Sequence, residues 1–219
     1  METTIPLRTE LPTGPRGDPQ RLLRLMQDMG LTGINRLYEP GELLYVGGTD
    51  GEALHLLLAG VVRLARSYAG GKEATLGLLG AGDAFGSPIC SGHSASEFYA
   101  EALTSCELMK VPRPLLDGAA KRSPSLAAEI MALKDRQLAA CERLVVRLLS
   151  RRTPARLADL LLELDGKFGA SSPGEGYPRT IGLRLTHEDL GAMVASTRES
   201  ISAAMGELRR AGPWPSRED

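Results

Sequence analysis

Cysteine is scarce in this chain, and its pattern removes several chemistries at once. Cys90, Cys106 and Cys141 are three in number, far apart, and form no CxxC pair. An odd count at wide spacing argues against a disulfide scaffold, a zinc site or an iron–sulfur cluster, and it fits a reducing, cytoplasmic setting. No cofactor and no metal is expected. Long apolar runs are missing as well: none is long enough to cross a bilayer, so no membrane partner is expected. The first twenty residues are rich in Pro, Thr and Gly and lack the charged-then-apolar order of a secretion leader. An overall basic charge is absent too. The 26 Lys and Arg face 27 Asp and Glu, a formal net charge of -1, so nucleic-acid binding would have to rest on local charge. Aromatic residues are few in an otherwise ordinary globular composition, and 219 residues suffice for one large domain or two modest ones. No nucleophile–base pairing, phosphate loop or metal-ligand quartet is evident, which weighs against an enzyme.

What is present is concentrated near the C-terminus. Thr186 stands where a helix N-cap belongs, with Asp189 three residues on as an acidic capping-box partner. Leu190, Met193 and Val194 recur at helical spacing. Ala195-Ser196-Thr197 interrupts the pattern and offers a second hydroxyl cap. Ile201, Met205 and Leu208 form the apolar side of a further helix, and Gly212 ends it. Two short helices at a tight junction have the layout of a helix-turn-helix, whose second helix enters a DNA major groove. An ordinary helical hairpin with a polar face has the same outline. The start of the second helix suits the first reading: Arg198 can bond guanine O6 and N7, Glu199 can accept from cytosine N4, and Thr197 and Ser202 carry hydroxyls. Arg184, Arg198, Arg209 and Arg210 add positive charge within this short region.

Upstream, residues 1–19 carry four prolines and read as a loose arm. Residues 20–29 follow as a short amphipathic helix. Between Leu31 and Val111 short apolar or alternating runs (42–46, 53–58, 61–65, 74–79 and 100–103) are punctuated by Gly turns. That is the signature of an antiparallel sandwich or barrel. Pro124 opens a stretch free of Gly and Pro that reaches about Ser150. In it Leu126, Ile130, Leu133, Gln137, Ala140, Leu144 and Leu148 follow steps of four and three. Such a seam reads as a coiled-coil dimer interface or as one long helix lying on its own domain. Thr153 then caps a helix with Pro154 in its first turn and Leu157, Leu160, Leu161 and Leu164 on one side. Residues 166–178 read as a loop, and 179–183 as a short strand.

This order resembles the cyclic AMP receptor protein/FNR (CRP/FNR) family of bacterial transcription regulators. The likeness rests on Arg156-Leu157-Ala158 with the leucines after it, and on Ser196-Thr197-Arg198-Glu199-Ser200-Ile201-Ser202. Tyr38-Glu39-Pro40-Gly41-Glu42, Leu58-Ala59-Gly60-Val61-Val62-Arg63-Leu64 and Gly80-Ala81-Gly82-Asp83-Ala84-Phe85-Gly86 add to it. The resemblance implies an α+β chain: arm (1–19), cyclic-nucleotide-binding-like β-roll (a double-stranded β-helix or jelly roll, 20–118), long dimerisation helix (119–151) and helix-turn-helix domain (152–219). It implies a sequence-specific regulator, an activator that touches RNA polymerase, acting as a homodimer on a two-fold symmetric site in double-stranded DNA. The implied DNA contacts are Thr186, His187, Ser196, Thr197, Arg198, Glu199 and Ser202.

The chain also departs from the family pattern. In nucleotide-responsive members Phe-Gly is followed by a Glu that bonds the ribose, and a later Arg-Ser pair holds the cyclic phosphate. The corresponding effector-pocket region is Gly86, Ser87, Ser96, Glu97 and Cys141: Ser87 follows Phe85-Gly86, the Arg-Ser place falls near Ser96-Glu97, and the adenine-contacting place at Cys141-Glu142. With no Arg to clamp a phosphate, DNA binding without cyclic AMP is expected. Iron–sulfur members carry cysteines in the arm, and this arm has none. Cys90 and His93, three apart, could hold a metal or be a plain loop thiol and surface histidine. Cys106 reads as a small buried hydrophobe, and an oxidation-sensing role for Cys90 or Cys141 stays open. Ala203 stands where members commonly place another Arg. Pro213-Trp214-Pro215 does not suit the two-stranded wing that family members carry after the recognition helix, so the wing is expected to be truncated or absent and DNA affinity lowered. The competing reading is a small-ligand or redox sensing and interaction module with weakened DNA binding.

Overall fold

The computed structural model describes residues 21–46, 53–68, 72–86, 98–171 and 179–211. They fall into two compact units, divided between Glu142 and Arg143. The expectations for the arm, Ser87, Cys90, His93, Ser96, Glu97 and the wing lie outside the described residues.

The first unit begins with α1 (Arg21–Asp28) and continues with β1 (Ile34–Tyr38), β2 (Leu43–Val46), β3 (Ala53–Ala59) and β4 (Val61–Tyr68). Then come β5 (Lys72–Gly80), β6 (Ala84–Gly86), β7 (Phe98–Ala102), β8 (Cys106–Pro112), α2 (Arg113–Arg122) and α3 (Pro124–Leu149). The strands form two four-stranded sheets, β1-β8-β3-β6 and β2-β7-β4-β5, with antiparallel pairing throughout. Period-2 alternation sorts the side chains. In β7, Phe98, Ala100 and Ala102 are buried while Tyr99 and Glu101 are half-exposed. In β3 both faces are covered. Leu54 and Leu56 join Leu22, Met26, Met109, Val111 and Leu116 under the helices, and Leu57 joins Val62, Leu64, Phe85, Phe98 and Leu108 inside the roll. The β3–β4 turn requires Gly60: its φ is +91°, and a Cβ there would lie 2.4 Å from the Ser105 carbonyl oxygen. On the outer face of the second sheet, Arg63 donates to Glu101 at 2.6 Å and to the Tyr99 hydroxyl at 3.2 Å. Burial and a hydrogen bond to Glu73 push the Tyr99 phenol up to about 12.

The long helix divides its labour. Leu126 and Leu133 are buried, and with Ile130 they belong to the same core as Leu54 and Leu56. The N-terminal half of the anticipated intersubunit seam is therefore the protomer's own core. Spacing reports that a helix face is apolar, and the β-roll is what covers this one. Gln137, Ala140 and Leu144 are partly covered, and Leu148 is exposed. A different face carries Met131, Leu138 and Val145, 56%, 61% and 58% exposed and spaced by seven, with Cys141 three residues after Leu138.

The second unit takes the last turns of α3, then α4 (Thr153–Phe168), β9 (Gly169–Ser171), β10 (Arg179–Ile181), α5 (His187–Val194) and α6 (Arg198–Ala211). Leu157, Leu160, Leu161, Leu164 and Phe168 of α4 are buried, as are Leu190, Met193 and Val194 of α5 and Ile201 and Ala204 of α6. The anticipated loop at 166–178 is shorter than its glycines suggest: α4 runs on through Gly166 to Phe168, and β9 pairs with β10. Thr153 is not the cap of α4. Arg152 holds the N-cap place without a side-chain bond, while the Thr153 hydroxyl lies 3.4 Å from Ser196 Oγ. Arg147, buried at the end of α3, donates to Asp159 at 2.6 Å and to Glu163, fastening that turn to α4. Arg152 likewise pairs with Glu207 of α6.

Candidate nucleic-acid interface

The two helices of the motif are set by local chemistry. Thr186 caps α5 in a full capping box: its hydroxyl accepts from the Asp189 N–H at 3.1 Å, and its own N–H donates to Asp189 Oδ2 at 2.8 Å. The helix ends at Ala195, which takes the left-handed conformation with φ 50° and ψ 57°. The Ser196 N–H then reaches back to the Gly191 carbonyl at 3.0 Å. This crossing is so close that a Cβ on Gly191 would meet the Ser196 carbonyl oxygen at 2.6 Å. Thr197 opens α6, its hydroxyl accepting from the Ser200 N–H at 3.2 Å.

Ile201 and Ala204 turn α6 toward the core, so Arg198, Glu199, Ser202, Ala203, Arg209 and Arg210 are left on its exposed side. Arg198 makes no side-chain hydrogen bond among the described residues, so its five N–H donors are available. The Glu199 carboxyl is held below the usual carboxylate range by its own backbone N–H, by the Thr197 hydroxyl and by the Arg198 charge. It is therefore a fixed acceptor beside a fixed donor. The predicted hydroxyl contacts are already engaged: Thr186 donates to Asp189 at 2.7 Å, the Thr197 and Ser200 hydroxyls lie 3.2 Å apart, and Ser196 lies against Thr153. Their backbone roles come first. Spacing did not reveal one further bond, between His187 Nδ1 and Ser202 Oγ at 2.8 Å, which joins the first residue of α5 to the second turn of α6.

A cyclic nucleotide-binding domain model matches residues 35–123, and a Crp-like helix-turn-helix domain model matches residues 155–213. The global nitrogen regulator of Synechococcus elongatus is 32% identical over 174 residues, covering 78% of this chain and 77% of that protein. The chain belongs to the CRP/FNR family. The cyclic AMP receptor protein of Thermus thermophilus is a further CRP/FNR relative, 30% identical over 81% of this chain and 77% of its own length. The solved structure of a CRP/FNR transcriptional regulator from the same organism superposes with a TM-score of 0.67 at 28% identity, over 84% of this chain and 90% of that one. As a CRP/FNR protein the chain is a transcription regulator with a helix-turn-helix DNA-binding domain, not an enzyme. Among the described residues no helix is long and apolar enough to cross a membrane.

The interior of the β-roll holds a cluster of aromatic rings. Tyr45 stacks on Phe98 with ring centroids 4.9 Å apart, and His55 stacks on Phe85 at 5.1 Å. Tyr45 and His55 meet edge-on at 5.4 Å, which closes the row. Gly86 follows directly on Phe85, and a Cβ on it would lie 2.3 Å from the Ala53 carbonyl oxygen. Cys141 is exposed on α3.

Proposed function

We propose that this regulator binds a two-fold symmetric promoter site as a homodimer, without cyclic AMP, and activates transcription through contact with RNA polymerase. The observation that carries the reading is the pairing at the start of α6: Arg198 unengaged and exposed, Glu199 ionised beside it. Together they match a guanine acceptor edge and a cytosine amino group in the major groove. The Thr186, Ser196, Thr197 and Ser202 hydroxyls hold the two helices that present this pair, and His187 at the start of α5 is the side chain left to meet the sugar–phosphate backbone and set the register. Dimerisation is supported by the seven-residue repeat Met131, Leu138 and Val145 on α3, an exposed apolar row of the kind that seeks a second helix. Independence from cyclic AMP is supported by the ring stack and the missing phosphate clamp. Contact with RNA polymerase and the sense of regulation come from family likeness.

Selection of bound duplexes from a random DNA pool, using ligand-free protein, tests the whole reading. The expected product is an inverted repeat with half-sites about one helical turn apart. Recovery of no preferred sequence would sink it, and an affinity that rises steeply on adding cyclic AMP would remove the ligand-free clause.

A further inference from the structure

The hydrogen bonds around Ser202 fix where the hydrogen of His187 sits. A serine hydroxyl has one hydrogen to give and two lone pairs to offer. Ser202 Oγ donates to the Arg198 carbonyl oxygen at 3.0 Å, the usual back-bond of a helical serine. The same oxygen lies 2.8 Å from His187 Nδ1. Both bonds stand together only when Nδ1 is the donor, so the ring carries its hydrogen on Nδ1. Nε2 of the neutral ring is then a bare lone pair. Among the described residues Ser202 is the ring's sole hydrogen-bond partner.

From these bonds we infer that His187 is a phosphate ligand that must take up a proton to bind DNA, and that Ser202 is the positioning residue that imposes this requirement. His187 opens the first helix of the pair, the helix that crosses the sugar–phosphate backbone while the second enters the groove. A lone pair facing a phosphate oxygen repels it, whereas the imidazolium donates from Nε2 and brings a charge. The alternative tautomer, with hydrogen on Nε2, would donate to a phosphate at any pH, but it would cost Ser202 its bond to Arg198. The charged groups nearby do not take over this task. On α5, Asp189 is occupied by Thr186, and Glu188 is exposed. On α6, Glu199 is held by its own N–H and Thr197, and Arg198 is exposed. Beside the turn, Arg152 of the α3–α4 junction is paired with Glu207.

This inference rests on DNA binding through α5 and α6, and its test uses the full chain on a duplex recovered by the selection above. Affinity is measured by fluorescence anisotropy at constant ionic strength from about pH 5.5 to about pH 8.5, the span in which histidine changes charge. Wild-type affinity should fall as pH rises, approaching about tenfold per pH unit for each proton taken up. The dependence of log affinity on log salt should be steeper at the acid end by about 0.9 per phosphate contact. His187→Gln, whose amide donates without titrating, should flatten the profile. Ser202→Ala should flatten it too, because the freed ring can move its hydrogen to Nε2. Ser202→Thr should restore the wild-type slope. A flat wild-type profile overturns the inference, as does an undiminished slope in either His187→Gln or Ser202→Ala. Failure to bind any duplex would take the function down with it, whereas tight binding insensitive to pH removes only the proton.

Discussion

Arg198 and Glu199 are chain neighbours of opposite charge on one exposed side of α6, Arg198 without a side-chain hydrogen bond among the described residues and Glu199 held locally at the helix start. On the proposed reading, Arg198 keeps its donors for a base, and Glu199 retains carboxylate lone pairs beyond those its own N–H and Thr197 occupy. Arg198→Ala should cost about 1–3 kcal/mol on the selected duplex and relax the preference at one base pair. Binding competition against single-base variants of the site reads both effects. Tyr99 shows the opposite use of polar groups, all turned inward on Arg63, Glu101 and Glu73. Its folded pKa is raised to about 12, so its contribution is complete below the unfolded value near 10 and is lost as pH climbs through the folded one. Alkaline ultraviolet titration should show one phenol ionising late, and stability falling between about pH 10 and about pH 12. Tyr99→Phe should remove both.

At the scale of elements, the helix-turn-helix is the part most plainly written in the sequence. Thr186 with Asp189, and Thr197 before Ile201, are local signals whose partners lie within a few residues. The turn between them stores a correctable cost, because Ala195 sits at φ 50°. Ala195→Gly should raise stability by about 1 kcal/mol, measured by denaturant unfolding, since glycine enters this conformation freely. Gly191→Val should do the reverse through the Ser196 carbonyl. Elements held by distant partners were harder to read. In β1, four of five residues are exposed, so no alternation marks it, and it exists because β8 pairs with it seventy residues away. Residues 169–171 form a strand only because Arg179–Ile181 lies opposite, with Arg179 bound to both carboxylate oxygens of Asp165. The His187–Ser202 bond belongs to the same class. Nothing about two polar residues fifteen apart announces that they meet.

For the whole molecule, the decisive feature is which face of α3 does what. Leu133 is core of the protomer and Leu138 is open, so their substitutions should separate folding from assembly. Leu133→Ala should lower stability by about 2–5 kcal/mol and leave the oligomeric state alone. Leu138→Glu, with Val145→Glu if needed, should leave the melting profile of the β-roll intact and give a monomer in sedimentation. It should also weaken binding to a two-half-site duplex far more than to a single half-site. The separation of faces also bears on how such a regulator can change over time. Because the β-roll completes its own core with Leu126, Ile130 and Leu133, mutations along Met131, Leu138 and Val145 are insulated from the cost of misfolding. On the proposed pairing through that row, a duplicated copy of the chain can therefore drift there alone until it no longer pairs with its parent. The two copies become separate regulators while sharing one scaffold.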